Sequence, residues 1–161
     1  MREEFSLAIA TDRDVPAILN LQAKAFLAHG KIFDVSLWTN ETPGELLADL
    51  DQMTVMLARS ADGEVLGSVR ARELEGVWII RKLSVSPDHQ KRGIGRALVG
   101  VIEASAPKTC HKISVCTMLR LGDNVRFFLD CGYRPDYLMA GHYNRLDLIC
   151  FRKNPERTQS R

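Results

Sequence analysis

The residues that could do chemistry gather in one stretch, Gln90-Lys91-Arg92-Gly93-Ile94-Gly95-Arg96, between an apolar run ending at Val85 and an amphipathic run starting at Ile94. Pro87 stops the first run as a strand, because proline has no N–H to give to a ladder. In the second run Ile94, Ala97, Leu98, Val101 and Ile102 fall at the i, i+3, i+4 spacing of a helix with one buried face, starting near Gly93 and running toward Pro107. The first turn of a helix carries roughly half a unit of positive charge and several amides without partners, so acidic residues belong there. Here it carries Lys91, Arg92 and Arg96. Each cation at that end costs roughly a few tenths of a kcal/mol unless an anion sits among them, and the two glycines let an anion approach the backbone closely. The chemistry predicted is the binding of a phosphate-bearing ligand.

A dinucleotide-binding turn would place Gly-x-Gly-x-x-Gly directly after the strand, but the third position is Leu98 and no suitable acid follows. With Leu83-x-Val85-x-Pro87 before it and the amphipathic helix after it, the stretch resembles the acyl-CoA-binding motif of the GCN5-related N-acetyltransferases (GNAT): Gln or Arg, two residues, Gly, one residue, Gly or Ala. A second stretch, Phe127-Phe128-Leu129-Asp130-Cys131-Gly132-Tyr133-Arg134, is similar to that family's helix ending in Phe-Tyr, three residues, then Gly-Phe or Gly-Tyr. Taken alone it reads equally as an amphipathic helix with a glycine C-cap.

The resemblance implies a cosubstrate, acetyl-CoA or another acyl-CoA, lying in a V between the fourth and fifth strands. Backbone groups of Leu83 and Val85 would pair with the pantetheine amides, and the amides from Lys91 through Ile94 and Gly95 to Arg96 would surround the pyrophosphate, with Gln90 supporting the turn and Gly93 giving access. Lys91, Arg92 or Arg96 would reach the outer phosphate. Asn124 and Phe128 would lie near the thioester. The implied reaction is direct attack of a neutral amine on the thioester, with a backbone N–H of the central strand stabilising the developing oxyanion. Where many relatives keep a tyrosine to protonate the leaving thiolate this chain has Phe128, which leaves solvent, Tyr133 or Tyr143 for that task. The candidates for the base are Glu73, Glu75, His142 and a water chain. The acceptor pocket is implied against Lys31 to Asn40 and Ala140 to Arg145, with Phe33, Asp34, Trp38, His142 and Tyr143 as its residues. The acidic excess from Asp34 to Asp51 suggests a cationic acceptor, although solvated helix faces have the same composition.

The elements that must position these residues follow from the periodicity. Phe5 to Ala10 is read as a strand, and Thr11 with Asp14 as a capping box that opens a helix reaching Ala28. Thr42-Pro43-Gly44-Glu45 starts a second helix. From Met53 the period becomes two: Val55 to Arg59, Glu64 to Arg72 and Val77 to Val85 form a meander turned at Ala61-Asp62-Gly63 and Glu75-Gly76. In its last strand Val77, Ile79, Arg81, Leu83 and Val85 alternate with Trp78, Ile80, Lys82 and Ser84. Lys112 to Leu119 is a strand parallel to it through the motif helix. A helix from Gly122 stops at Gly132, and Tyr133 to Met139 and Asn144 to Arg152 close the chain through Gly141. The order β-α-α-β-β-β-α-β-α-β-β matches the GNAT fold. The expectation is an α/β (α+β) domain over residues 1–152, with a central mixed, mostly antiparallel sheet of about seven strands and four helices, and a polar tail at 153–161.

A length of 161 residues suits one domain. The formal net charge of +2 does not point to nucleic acid, yet the halves differ: residues 1–80 hold 7 Lys or Arg against 13 Asp or Glu, and residues 81–161 hold 15 against 7, giving −6 and +8. Cys110, Cys116, Cys131 and Cys150 have no paired short spacing, so they are read as buried small hydrophobes, with no metal site and a reducing cytoplasm as the compartment. No apolar run is long enough to cross a bilayer. The function expected is an N-acetyltransferase acting on a small-molecule or peptide amine, as a monomer or homodimer. The alternatives are a noncatalytic acyl-CoA sensor or interaction module and a nucleotide-binding domain of a different fold.

Overall fold

A computed structural model describes residues 4–30, 40–143 and 145–156, with the side chain of residue 143 left aside. Phe33, Asp34 and Trp38 therefore lie outside the described residues, as does the Tyr143 side chain. Seven strands and four helices are described: β1 (Phe5–Ile9), α1 (Val15–Leu27), α2 (Pro43–Gln52), β2 (Thr54–Ser60), β3 (Val65–Leu74), β4 (Val77–Val85), α3 (Ile94–Ala104), β5 (Lys112–Met118), α4 (Gly122–Asp130), β6 (Arg134–Tyr143) and β7 (Leu146–Lys153). The sheet order is β1-β2-β3-β4-β5-β7-β6. The β1–β2, β2–β3, β5–β7 and β6–β7 pairs are antiparallel, whereas β4 and β5 run parallel, Val77 to Ile80 against Lys112 to Val115. That is the mixed, mostly antiparallel sheet with four helices expected from the sequence.

The chain forms two compact units. The first holds Met1–Ala71 and Lys82–Ile102, the second Arg72–Arg81 and Glu103–Arg161. In the first unit the helices begin where the sequence chemistry demands. The Thr42 hydroxyl accepts from the Glu45 amide at 3.2 Å while Glu45 accepts from the Thr42 amide at 2.8 Å, a capping box with Pro43 at the first helical position. Asp14 likewise accepts from the Thr11 amide at 2.8 Å, and also pairs with Arg59 of β2. Ala10, Val15, Ile18, Leu46, Val55 and Leu57 are buried together beneath α1 and α2. β3 separates two faces: Arg70 reaches Gln22 of α1 and Asp49 of α2, while Gly67 on the opposite face meets Ile94 and Leu98 of α3. A Cβ at Gly67 would stand 2.8 Å from Leu98 Cδ1 and 3.1 Å from the Ser84 carbonyl oxygen, so this glycine is what allows α3 to lie against the strands.

The even alternation expected for β4 is broken. Glu75 and Gly76 have φ of 50° and 79°, the two left-handed residues of a tight primed turn, which places Leu74 opposite Val77. An unbroken register would then bring Leu66 opposite Val85. The amide of Ser86 donates to the Leu66 carbonyl instead, at 2.8 Å, so β4 has taken in one extra residue. Lys82, with φ 51°, is the left-handed residue in that stretch, and Arg81 and Lys82 are both exposed.

In the second unit Phe128 of α4 packs edge-on to Phe127 and Tyr133 and lies 6.0 Å from Phe151 between ring centroids. β6 extends from Arg134 to Tyr143, so Gly141 is not the connection that the sequence reading made it. It sits within the strand at φ 62°, where the ladder to β7 shifts register, and its amide donates to Asp147 at 2.8 Å. The cysteine reading is corrected as well. Cys116 of β5 and Cys150 of β7 face each other in the register and form a disulfide, while Cys110 is buried as read and neither it nor Cys131 is disulfide-bonded.

Candidate active site

β4 ends at Val85 and a short turn of 3-10 helix, Pro87–His89, leads into the glycine stretch. Lys91 and Gly93 take left-handed φ of 61° and 88° on either side of Arg92, a run that turns the backbone back on itself before α3. The Ala97 amide donates to the Gly93 carbonyl at 3.0 Å, which makes Gly93 the residue that caps the helix, with Ile94, Gly95 and Arg96 as its first turn. No acidic residue occupies that first turn. A Cβ on Gly93 would meet nothing within 4 Å, so the space over the turn is open. Ile94 is buried and pins the turn to the sheet, while Lys91, Arg92 and Arg96 are exposed. The Gln90 side chain donates to the Val85 carbonyl at 3.4 Å, tying the turn to the strand before it. Leu83 and Val85 are half-buried on either side of buried Ser84. Nine of the proposed cosubstrate residues, Leu83, Val85, Gln90, Lys91, Arg92, Gly93, Ile94, Gly95 and Arg96, thus form one continuous feature of the first unit. The donor set is a helix N-terminus, a left-handed turn and three cations, chemistry that fits a pyrophosphate.

The other candidates belong to the second unit. Asn124, in the first turn of α4, donates to the Thr117 hydroxyl of β5 at 3.3 Å. Phe128 is buried in the aromatic cluster. Tyr133 is 2 % exposed and its hydroxyl donates to Glu103 at 2.8 Å; burial, then the Glu103 charge and that hydrogen bond, push the phenol well above its ordinary value. Lys153 reaches the same carboxylate at 3.1 Å. Glu73 is exposed at the turn that starts β4, where it accepts from the Gly76 amide at 3.3 Å, whereas the glycine stretch follows the end of that strand. His142 is exposed on β6. Among the described residues no group of three His, Cys, Asp or Glu side chains could hold a metal ion, and no helix is long and apolar enough to cross a membrane.

One cluster was missed from the sequence. Arg70, 0 % exposed on β3, donates through Nη1 to Glu41 at 2.6 Å and to Asp49 at 2.7 Å, and through Nη2 to Glu41 at 2.8 Å. Gln22 of α1 also donates to Glu41, at 2.7 Å, and Lys82 of β4 lies 2.9 Å from it. Burial works to raise the Glu41 carboxyl, but hydrogen bonds from Arg70, Gln22 and Lys82 and the Arg70 charge outweigh it and hold the group at about 2. The signal was present: Arg70 is the one ionic residue in the otherwise apolar and small run Val65 to Ala71, and a buried guanidinium requires acidic partners. Two of the acids behind the expected cationic acceptor, Glu41 and Asp49, answer Arg70 instead.

Comparison with known proteins agrees with this geometry. The model of the acetyltransferase (GNAT) family matches residues 15–133. No curated protein sequence matches the chain. Among solved structures, the ribosomal-protein-S18-alanine N-acetyltransferase of Escherichia coli superposes with a TM-score of 0.78 at 13% identity, over 98% of this chain and 97% of that one. PaiA N-acetyltransferase of Thermoplasma acidophilum, in complex with coenzyme A, gives 0.78 at 12% identity, over 91% and 98%. yncA of Salmonella typhimurium, with its cofactor acetyl-CoA, gives 0.76 at 17% identity, over 99% and 98%. At these identities the likeness is one of fold.

Proposed function

The chain belongs to the GNAT acetyltransferase family, and from that premise we propose that it transfers the acetyl group of acetyl-CoA to a primary amine of a small molecule or peptide by direct attack. The observation that carries the proposal is the turn Lys91 to Gly93 with its open space, the helix N-terminus that follows it and the surrounding cations. PaiA and yncA, which share the fold, hold CoA and acetyl-CoA. In this reading the pyrophosphate takes the amides at the start of α3, Arg92 and Arg96 serve its charge, and Leu83 and Val85 offer main-chain groups to the pantetheine. The extra residue in β4 supports the last point, because a bulge leaves backbone groups outside the ladder, free to meet a ligand or a developing oxyanion.

The cosubstrate supplies an activated acyl group; the chain supplies position and charge. Amine attack requires the acceptor as the free base. Glu41, held at about 2, is too weak a base to take its proton, and Glu73 is engaged at a turn. We assign the proton to solvent at the exposed end of β6, with His142 as the side chain that can assist. Tyr133, buried and donating to Glu103, is the weaker candidate for the thiolate's proton, which leaves solvent or Tyr143. Residues 1–152 act together as one acyltransferase domain in this proposal, monomeric or homodimeric, and independent of nucleic acid and membrane.

Release of free thiol from acetyl-CoA in the presence of a panel of amines and peptides tests the proposal. Turnover that depends on the amine supports it. Phe128 and the engagement of Tyr133 favour one competing reading, a noncatalytic acyl-CoA sensor, and tight CoA binding without turnover on any acceptor would select that reading.

A further inference from the structure

Among the described residues Lys82 is the one non-glycine residue inside a strand with a positive φ, and it stands where β4 takes in its extra position. A lysine adopts that conformation at a cost unless its surroundings hold it there. Its ammonium lies 2.9 Å from Glu41 Oε1. The same oxygen receives Arg70 Nη1 at 2.6 Å, and Oε2 receives Arg70 Nη2 at 2.8 Å and Gln22 Nε2 at 2.7 Å. The side chains of Arg70 and Glu41 are 0 % and 7 % exposed, against 38 % for Lys82, so of these three groups the lysine is the one that meets solvent. Through Gln22, Asp49 and Arg70 the carboxylate is fixed to α1, α2 and β3 at once.

We infer that Glu41 is a positioning residue: held by buried Arg70, it fastens the Lys82 side chain and keeps β4 bulged there, and so sets the direction in which the main-chain groups of Leu83 and Val85 point. What those groups meet is the acyl-CoA of the proposed function, on which this role rests. The device works through the backbone at position 82, not through a charge delivered to the ligand. Glu41 is thus invisible to any motif, yet it governs the strand that the motif follows.

Two substitutions of the exposed lysine separate these roles without touching the buried hub. Lys82→Met removes the tether; Lys82→Gly also removes it but adopts a left-handed φ freely. Calorimetric affinity for CoA is expected to fall about two- to fivefold in K82M, the loss of one partly exposed ion pair, and to return to within about twofold of wild type in K82G. Glu41→Gln should act in the same direction, and K82M added to it should lower affinity no further. Equal losses in K82M and K82G would place the ammonium on the ligand itself and overturn the clamp, as would unchanged affinity in both. Amide hydrogen exchange of ligand-free protein distinguishes a failed clamp from a failed cosubstrate site. In K82M the Leu83 and Ser84 amides should exchange about two- to fivefold faster at low salt, the difference closing near about 0.5 M salt. Faster exchange sustains the clamp even if CoA does not bind, and exchange identical to wild type overturns it even if CoA does.

Discussion

Arg92 and Arg96 stand at the end of a helix that repels them, and a phosphate ligand changes the sign of that interaction. Replacing both by alanine should weaken CoA binding about tenfold and flatten its dependence on salt, measured by calorimetry at two ionic strengths. Affinity and salt slope equal to wild type would remove the phosphate from this turn. Glu41 makes the opposite kind of prediction, about the fold. Its carboxyl is held near 2 in the folded chain against a usual 4.5, so its contribution to stability is complete above about 4.5 and is lost as the pH falls toward 2. Glu41→Gln should remove that part of the acid dependence and destabilise the chain by about 3 kcal/mol at neutral pH, because buried Arg70 keeps only Asp49 as an anionic partner. Urea unfolding across pH 2–7 measures both effects. The two cases show what a sequence exposes at this scale. The cations announce themselves because they sit next to their glycines, whereas Arg70 meets partners 21, 29 and 48 residues away, and pairing over such separations is a product of the fold.

At the scale of elements the site depends on how closely α3 approaches β3 and β4. Gly67→Ala would put a methyl 2.8 Å from Leu98 and 3.1 Å from Ile94 and from the Ser84 carbonyl, so the helix must move or the strand must bend. The expected cost is about 1–3 kcal/mol in stability, with a loss of CoA affinity because the displaced helix carries the pyrophosphate amides. Thermal unfolding and calorimetry on the same variant check this; full stability with full affinity would contradict it. The motif helix, the turn at Glu75-Gly76, the Thr11–Asp14 capping box and the helix start at Thr42 could be read directly, since each depends on residues close together in the chain. The bulge at Lys82 could not. Nothing local marks a lysine for a left-handed conformation, and only its distant partner Glu41 and the displaced Ser86–Leu66 bond make sense of it. Gly141 misled in the other direction: a glycine with positive φ suggests a turn, but here it interrupts a strand that continues to Tyr143.

For the whole molecule, element order predicted the seven-stranded sheet and its parallel β4–β5 pair. Composition had no means of pairing Cys116 with Cys150, which become neighbours only when β5 and β7 align. That bond closes a separation of 34 residues, worth up to about 4 kcal/mol by loop entropy, so reduction should lower the unfolding temperature by roughly 8–16 °C. An unfolding temperature that is the same with and without reductant would show that the bond adds no stability. The charge asymmetry of the chain also gains a location, since Lys91, Arg92 and Arg96 of the basic half surround the turn to which the phosphates are assigned. The most direct measurement is a calorimetric titration of the protein with acetyl-CoA and with CoA lacking its 3′-phosphate. Acetyl-CoA is expected to bind with a dissociation constant of about 10 µM or tighter, and the dephosphorylated form more weakly. No heat of binding for acetyl-CoA at tens of micromolar would contradict this.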